Sequence, residues 1–459
     1  MKHYFKYIVL LFVLAFAVRA AAQTTIWRDI HKVKKKETIF GIAKDYGISI
    51  QALLDANPEM KKEGYELKKG TWIFVPFAKK GDKKSETKQV EKVATTVAKN
   101  TIAAPATNVI RVGVMLPLHN LDGDGKRMVE YYRGILLALN QMKAEGITTD
   151  IHAWNVPKEA DIRTTLLEKN AAELDIIFGP LYSNQVKPLG DFCLKNGIKM
   201  VIPFSIESKE VETNPNIFQV YQDDNRLNNK AIACFFERFQ KSHHPVFIDC
   251  NDANSQVAIF TSGLRKQLEL ANIKYDLTNV NSTQADFVKH FTASQPNVVV
   301  INSEKSPQLN RVFAKLDSLR RTNPGIAISI YGYNPWFIYQ DYNLSNYFKY
   351  SVYVPSTYYY NKAAKRTEAL EKLYIETYGE AMSNTYIPRF AIVGYDQAQF
   401  FVRGLKSKGK NFKGMGNEVK YIPLQTRYNF ERIGQGGYVN NHFQLIHFKV
   451  DQTLENLVY

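Results

Sequence analysis

Few side chains in this sequence stand at spacings that support catalysis or metal binding. His243 and His244 are adjacent, and neighbouring residues of an extended strand point to opposite faces, so the pair is poorly placed to hold one metal ion. Asp122 and Asp124 begin a pattern like a calcium loop, but the third acidic position and the bidentate glutamate are missing. The sequence has no Gly-x-Ser-x-Gly, His-Glu-x-x-His or nucleophilic cysteine motif. We therefore expect a protein that is not an enzyme and that uses no cofactor or metal.

The cysteines give no framework of cross-links. Cys193, Cys234 and Cys250 are odd in number and far apart in sequence, which is unlike a disulfide-rich scaffold or a zinc site. We expect three buried free thiols.

The composition is that of a globular protein with a strong positive charge. The 459 residues are 45% hydrophobic and 23% charged, enough for two or three domains with full cores. The net charge of +16 favours anionic partners such as acidic cell-wall polymers or lipid headgroups. Much of the excess lies in short lysine runs, at 34–36, 61–62, 68–69 and 79–80, which equally suit a solvated face.

The chain begins with an export signal. Lys2 and Lys6 precede an apolar run from Tyr7 that is too short to cross a bilayer, and small residues around Ala22 suit cleavage. We assign residues 1–22 to the signal peptide, with an uncleaved anchor as the alternative. No cysteine follows for lipid attachment, and no later stretch is apolar enough to span a membrane. The expected location is the periplasm or cell envelope, where nucleic acid is the least suitable partner.

Residues 27–77 have the pattern of one small domain. The apolar positions Ile39, Ile42 and Tyr46 recur at helical spacing, and Gly47 is placed to end that helix in the left-handed conformation. Ser49 is placed to cap a second helix. Alternating runs at 30–33 and 72–75 predict flanking strands. The predicted order is strand, helix, helix, strand.

This segment resembles the LysM domain, which binds N-acetylglucosamine-containing glycans such as peptidoglycan. The resemblance implies a shallow groove between the loop after the first strand and the loop after the second helix. The residues that it assigns to glycan binding are Lys36, Glu37, Thr38, Ile39, Asn57, Pro58 and Met60. The family usually has glycine where this chain has Lys36. Helix capping alone is the alternative role for Thr38 and Asn57.

A linker is predicted between this segment and the rest of the chain. Residues 78–107 lack aromatic residues and are rich in Lys, Glu, Thr and Ala, so they cannot bury enough apolar surface to offset the chain entropy. We expect a flexible tether whose reach grows as about 5–6 Å times the square root of its length.

From residue 108 to 459 predicted strands and helices alternate. Such alternation predicts an α/β fold with two parallel sheets, whose ligands bind at the carboxyl ends of the strands. Two facing sheets would form a cleft. The predicted strands lie at 109–118, 151–156, 174–179, 199–203, 245–249, 298–302 and 326–331.

This region resembles the type 1 periplasmic binding proteins of the leucine/isoleucine/valine-binding kind. The resemblance rests on VGVMLPL at 112–118, FGPLYS at 178–183, IPFS at 202–205 and GYD at 394–396, in family order. It implies ligand binding by Leu181, Tyr182, Ser183, Phe204, Ser205, Asp249, Asn251, Asp252 and Tyr333. A threonine normally stands about where this chain has Ile206, so the ligand is open, and a degenerate cleft is the alternative.

The resemblance also implies that the chain crosses between two lobes about three times. Breaks in the strand–helix pattern place these crossings near Val220, near Val354 and after about Lys410. Lobe 1 would comprise about 108–220 and 357–410, and lobe 2 about 221–356 and 411–459.

Together these features predict an exported, peptidoglycan-associated ligand-binding protein. The expected ligand is an amino acid, a peptide or a muropeptide, and a membrane permease would be a partner if the protein serves transport. The alternative is an interaction protein that regulates cell-wall synthases or hydrolases. A peptidoglycan hydrolase is disfavoured because no catalytic constellation is present.

Overall fold

The computed structural model describes residues 26–27, 29–35, 37–61, 65–76, 109–204, 206 and 208–459. The predicted signal peptide and the predicted tether lie outside these residues. Within them, no helix is both long and apolar enough to cross a membrane.

Residues 29–76, here called the N-terminal module, have the predicted order of strand, helix, helix, strand. Its elements are β2 (Asp29–Lys32), α1 (Ile39–Asp45), α2 (Ile50–Ala56) and β3 (Trp72–Val75), with a 3-10 turn at Pro58–Lys61. Thr38 and Ser49 cap the two helices through their side-chain oxygens, and Gly47 has a φ of 65°. The helices pack over the β2–β3 pair, and Ile42, Leu53 and others form a small core.

Lobe 1 is a helix-covered sheet of eight strands. Its elements are β1 (Ile26–Trp27), β4 (Ile110–Leu116), α3 (Gly123–Ala144), β5 (Thr149–Asn155), α4 (Ile162–Leu166), β6 (Ile176–Phe178), α5 (Ser183–Asn196), β7 (Lys199–Ile202), β8 (Ile217–Gln219), α11 (Lys365–Tyr378), α12 (Phe390–Lys408), β14 (Phe430–Arg432) and β15 (Tyr438–Asn440). The strand order is β1-β5-β4-β6-β7-β8-β15-β14, parallel from β5 to β15 and antiparallel at both edges. The order reverses between β4 and β6.

Lobe 2 repeats this arrangement with seven strands. Its elements are α6 (Asp224–Phe239), β9 (His244–Asp249), α7 (Ala258–Leu270), β10 (Asp276–Asn279), α8 (Gln284–Val288), β11 (Asn297–Ile301), α9 (Ser306–Thr322), β12 (Ile328–Tyr331), α10 (Gln340–Lys349), β13 (Val352–Ser356), β16 (Gln444–Phe448) and β17 (Leu454–Val458). The order β10-β9-β11-β12-β13-β16-β17 is parallel up to β13 and reverses between β9 and β11. The two sheets confirm the predicted two-lobed α/β fold.

The chain changes sheet after Gln219, after Ser356 and after Asn440. The expected crossing after about Lys410 is therefore wrong, and residues 411–440 belong to lobe 1. The pattern does break at Lys410, but the following segment carries Phe412 and Phe430, which are buried beside Phe218 in the lobe 1 core.

The long helices α3 and α12 cross closely in lobe 1 because glycines face the neighbouring backbone. A Cβ on Gly134 would lie 1.8 Å from the Ala391 carbonyl oxygen, and one on Gly394 would lie 2.0 Å from that of Tyr131. Any larger side chain would push the helices apart. This contact fixes the position of the motif at 394–396.

Candidate functional site

Asn57 is a buried scaffold residue of the N-terminal module. Its amide nitrogen donates to the carbonyl oxygens of Leu53 and Phe74, each at 2.7 Å, and its oxygen accepts from the Phe74 amide at 2.7 Å. The side chain is fully buried. Because all of these bonds are internal, Asn57 holds the second loop against β3 and has no free face for a glycan.

The other predicted glycan residues are placed in different ways. Met60 is buried in the module core, Ile39 packs on it half-buried, and Thr38 is exposed and caps α1. Lys36 and the side chain of Pro58 lie outside the described residues.

Glu37 organises the first loop. Its carboxylate accepts from His31 at 2.7 Å and from the Lys34 amide at 2.6 Å. Partial burial alone would raise the pKa of Glu37, but these two bonds outweigh it and hold the pKa below its ordinary value. The loop shape is therefore fixed by side chains rather than by the glycine that is usual there.

Phe40 was missed by sequence reasoning. It follows the Thr38 cap in the first turn of α1, and 53% of its surface is exposed. An exposed aromatic ring beside the loop is a flat apolar wall of the kind that ligand sites use. The sequence does contain a signal for it, because Phe40 is an aromatic residue outside the apolar stripe of Ile39, Ile42 and Tyr46.

In lobe 1 the expected ligand loop follows β6, at the point where the strand order reverses. Ser183 is the exposed first residue of α5, and no side-chain hydrogen bond caps that helix among the described residues. The Tyr182 hydroxyl donates to Asp124 at 3.1 Å, which joins this loop to the start of α3. Burial and the Asp124 carboxylate raise the pKa of Tyr182. Leu181 packs half-buried on the lobe 1 core. Crevices at such switch points are where α/β sheets bind ligands.

The loop after β7 is largely packed. Phe204 is half-buried, with its ring 5.0 Å from that of Tyr131 and 5.3 Å from that of Phe390. Ile206 is 5% exposed and packs in the lobe 1 interior. Ser205 lies outside the described residues. Phe204 thus contributes an apolar wall at this end of the sheet.

In lobe 2 the predicted loop after β9 is tied to its neighbours. Asp249 accepts from the Asn302 amide group at 2.7 Å, and Asp252 accepts from Ser303 at 2.7 Å and from the Lys305 ammonium at 2.6 Å. Asn251 has a φ of 56° and exchanges hydrogen bonds with Asn279. These side chains bond one another and their neighbours at the switch point of lobe 2, so they shape the loops more than they offer free hydrogen-bonding groups to a ligand.

A cavity of about 270 Å³, here called the crossover cavity, lies where the three crossings enter lobe 2. Tyr333 forms part of its wall, and the Tyr333 hydroxyl donates to the Ile301 carbonyl at 2.7 Å. Among the described residues that line it, Asp224 is the one charged side chain. The lining residues are Asp224, Leu227, Asn228, Ala231, Gln256, Val257, Ile259, Phe260, Tyr333, Asn334, Pro335, Pro355, Ser356, Thr357 and Phe443. Its chemistry suits an apolar group.

Asp396 holds the second crossing in place. Its carboxylate accepts from the Tyr421 hydroxyl at 2.7 Å and from the amides of Leu424, Gln425 and Thr426 at 2.8 to 3.1 Å. The Gln425 carbonyl in turn accepts from the Tyr359 amide at 2.9 Å. Burial raises the pKa of Asp396 to about 6 in spite of these four donors.

Lys230 joins the first and third crossings. Its ammonium donates to the Gln222 side chain at 3.2 Å and to the Asn441 carbonyl. Burial, with a smaller contribution from Arg226, lowers the pKa of Lys230 to about 8. The connections between the lobes are thus held by a cation on α6.

This cation predicts a pH dependence of stability. The unfolded chain keeps the ordinary lysine pKa, so between about pH 8 and pH 10.4 it binds more protons than the folded protein does. The contribution of Lys230 to the free energy of unfolding therefore rises with pH across that window. When the free energy of unfolding is measured by urea titration at several pH values, Lys230→Met should show a shallower rise with pH than the wild type. An equal rise in the two proteins would contradict the lowered pKa of Lys230. Burial also lowers the pKa of Lys199 to about 8, so Lys199→Met serves as a comparison variant and should make the rise shallower for the same reason.

The remaining chemistry-bearing residues form no reactive cluster within the described residues. No group of three or more His, Cys, Asp or Glu side chains could hold a metal there. The three cysteines are buried and unpaired, and burial raises the pKa of Cys234 and Cys250 to about 12, so these thiols stay protonated at neutral pH.

Comparison with known proteins gives one family match and several structural likenesses. No curated protein matches the chain. The substrate-binding protein of a branched-chain amino acid transporter from Streptococcus pneumoniae, solved with isoleucine, is 15% identical over 76% of this chain and 99% of its own, with a TM-score of 0.38. An ABC transporter substrate-binding protein from Desulfitobacterium hafniense, solved with leucine, is 17% identical over 76% and 99%, with a TM-score of 0.38.

A branched-chain amino acid periplasmic ligand-binding protein from Burkholderia xenovorans is 12% identical over 76% of this chain and 94% of its own, with a TM-score of 0.45. All of these scores are below 0.5, so the two-lobed fold rests on the strand order of the sheets. The N-terminal module is identified from its sequence, because residues 31–76 match the family model of the LysM domain.

Proposed function

We propose that this chain is an exported cell-envelope protein whose N-terminal module binds N-acetylglucosamine-containing glycan and whose two-lobed domain binds a small ligand. The observation that carries the proposal is the LysM match at residues 31–76, followed in the same chain by two α/β lobes. The leader predicted at residues 1–22 supports export.

The glycan contact is best supported at the exposed side of the first loop. Asn57 and Met60 are buried and Glu37 is engaged, whereas Thr38 and Phe40 are exposed uncharged side chains next to the loop. In this proposal the Phe40 ring covers the apolar face of a sugar, and loop backbone groups bond its acetamido group. Asn57 acts indirectly by holding the second loop.

Replacing Phe40 by alanine tests this assignment. We expect the full chain to sediment with purified peptidoglycan. Phe40→Ala should weaken that binding about tenfold, because it removes the exposed ring that would cover the apolar face of the sugar. Ile50→Ala removes another exposed apolar side chain, 40% exposed at the start of α2, and should bind as the wild type does.

Salt separates this groove from the lysine runs. Contacts between exposed charges are screened over about 8–10 Å at physiological ionic strength, so only part of the binding should be lost in moderate salt. Complete elution by salt, or unchanged binding by Phe40→Ala, would assign the glycan contact to the lysines instead.

We base the ligand class on one feature of each lobe. The uncapped start of α5 with the Ser183 hydroxyl favours an anionic group such as a carboxylate. The crossover cavity in lobe 2 is mostly apolar and has no basic side chain among its described lining residues. An amino acid, short peptide or muropeptide with an apolar side chain fits both features.

A second candidate function has its own observation. Ile338 and Tyr342, near the start of α10 on lobe 2, are 59% and 88% exposed. Neighbouring exposed apolar side chains favour contact with a protein partner. If this surface acts, the domain is an interaction module for a cell-wall synthase or hydrolase, and Tyr342→Asp would abolish partner binding while leaving the cleft unchanged.

A further inference from the structure

The N-terminal module lies against lobe 1 in this structure. Strand β1 pairs antiparallel with β5 at the sheet edge, with Ile26 opposite Trp154 and Trp27 opposite Ala153. A single residue, Arg28, separates β1 from β2 of the module. The module therefore cannot move far from lobe 1 unless β1 unpairs from β5, although residues 77–108 separate the two in sequence.

Side chains add a second contact at the same place. Lys32 of β2 forms an ion pair with Glu380, whose other carboxylate oxygen accepts from Arg133 at 2.7 Å. The Arg133 side chain is 4% exposed, so Glu380 links the module to the interior of lobe 1. Phe74 of β3 packs half-buried on the lobe 1 core. The Asn57 side chain bonds both the carbonyl and the amide of Phe74, which connects this contact to the loop after α2.

Glu380 lies in a segment that also reaches the crossings. Residues 379–389, here called the bridging loop, follow α11. The Ser383 amide donates to the buried Glu130 at 3.0 Å, and the Arg389 guanidinium donates to the Ser383 carbonyl. Near the other end, Ile387 packs on the lobe 2 core. The bridging loop thus contacts the module at one end and lobe 2 at the other.

The far end of the bridging loop is bonded to the second crossing. The Arg389 amide donates to the Gln425 side chain at 2.9 Å, and the Gln425 carbonyl accepts from the Tyr359 amide. The Lys32–Glu380 ion pair, the backbone from Glu380 to Ser383 and the hydrogen bonds of Arg389 and Gln425 lead from the module to the crossing. A change at Glu380 therefore has a physical route to the angle between the lobes.

We propose that the N-terminal module docks reversibly on lobe 1 and that its docked state, carried by the bridging loop, biases the angle between the lobes. Reversibility follows from how few contacts hold the module: a strand pairing of two residues, the half-buried ring of Phe74 and one ion pair. Lys32 and Glu380 are 35% and 29% exposed, and ion pairs that face solvent contribute only about 0.2–1 kcal/mol. Glycan capture and cleft closure would then be linked, because whatever draws the module away relaxes the bridging loop. This goes beyond the two binding activities proposed above.

Distances between spin labels on the full chain test the proposal. The native cysteines are buried, so labels attach to cysteines introduced at exposed lysines: Lys44 in the module, Lys195 in lobe 1 and Lys266 in lobe 2. The wild type should give a narrow distance distribution for the module–lobe 1 pair. Lys32→Glu sets two carboxylates against each other, so it should broaden that distribution and shift the lobe 1–lobe 2 distribution.

Lys35→Glu is the matched control, since it makes the same charge change at an exposed position of the module that forms no ion pair with lobe 1 among the described residues. It should leave both distributions as in the wild type. Circular dichroism and hydrogen exchange of residues 31–76 show that each variant module is folded. A broad module–lobe distribution in the wild type would overturn docking. Release by Lys32→Glu without any change between the lobes would overturn the coupling.

Discussion

Asn57→Ala should unfold the N-terminal module rather than merely weaken glycan binding. The substitution leaves the buried amide of Phe74 and the carbonyls of Leu53 and Phe74 without their partner. Each polar group left without a partner in the interior costs about 1–3 kcal/mol, so the expected loss for the three groups is about 3 kcal/mol or more. A domain as small as this one has little stability in reserve. Hydrogen exchange of residues 31–76 in the full chain should lose its protection while the lobes keep theirs.

Gln51→Ala is the matched control on the same helix. The Gln51 amide is exposed and bonds only Asp55, at 2.9 Å, so its removal should change stability by less than about 0.5 kcal/mol. If Asn57→Ala keeps the hydrogen-exchange protection of the module but loses glycan binding, Asn57 contacts the sugar directly.

Asp396→Ala should destabilise the two-lobed domain by about 4 kcal/mol or more. Three backbone amides and the Tyr421 hydroxyl would lose their acceptor in the interior, and unpaired buried donors cost about 1–3 kcal/mol each. The segment at 421–426 that supports the second crossing would loosen first. Urea unfolding of the full chain measures the loss, and hydrogen exchange at residues 421–426 locates it.

Asp191→Ala removes an exposed carboxylate that pairs with Lys187 one helical turn away, and it should cost no more than about 0.5 kcal/mol. A cost of Asp396→Ala as small as that of Asp191→Ala would mean that the second crossing is held by other contacts.

The module and the alternation of strands and helices could be predicted from sequence because both are local patterns. Gly47 and Ser49 mark helix ends by their own backbone chemistry, and the structure uses them in that way. The third crossing was placed some thirty residues too early. A break in the pattern at Lys410 has the same appearance whether the chain changes lobe or makes a long loop within one. Only the burial of Phe412 and Phe430 beside Phe218 separates the two cases.

The candidate site was less accessible to sequence reasoning because burial and pairing depend on distant residues. Asn57 is polar and lies in a predicted loop, yet its side-chain amide is bonded to Phe74 of β3, seventeen positions later. The pairing of Asp252 with Lys305 spans 53 positions, so no local pattern shows it. The crossover cavity gathers residues from all three crossings, which are adjacent only in the folded chain. Tyr333 was the one predicted residue on its wall.

Ligand binding by the full chain is the most direct test of the central claim. Thermal shift against free amino acids, dipeptides and muropeptides should find a class that raises the melting temperature, since a ligand that binds only the folded state stabilises it. Ser183→Ala should then weaken that ligand about tenfold, because a hydrogen bond to a charged group contributes about 1.5–3 kcal/mol. Ser407→Ala, an exposed serine at the far end of α12, should bind as the wild type does. Failure of every class to bind, or equal affinity of Ser183→Ala and the wild type, would contradict a ligand held at the start of α5.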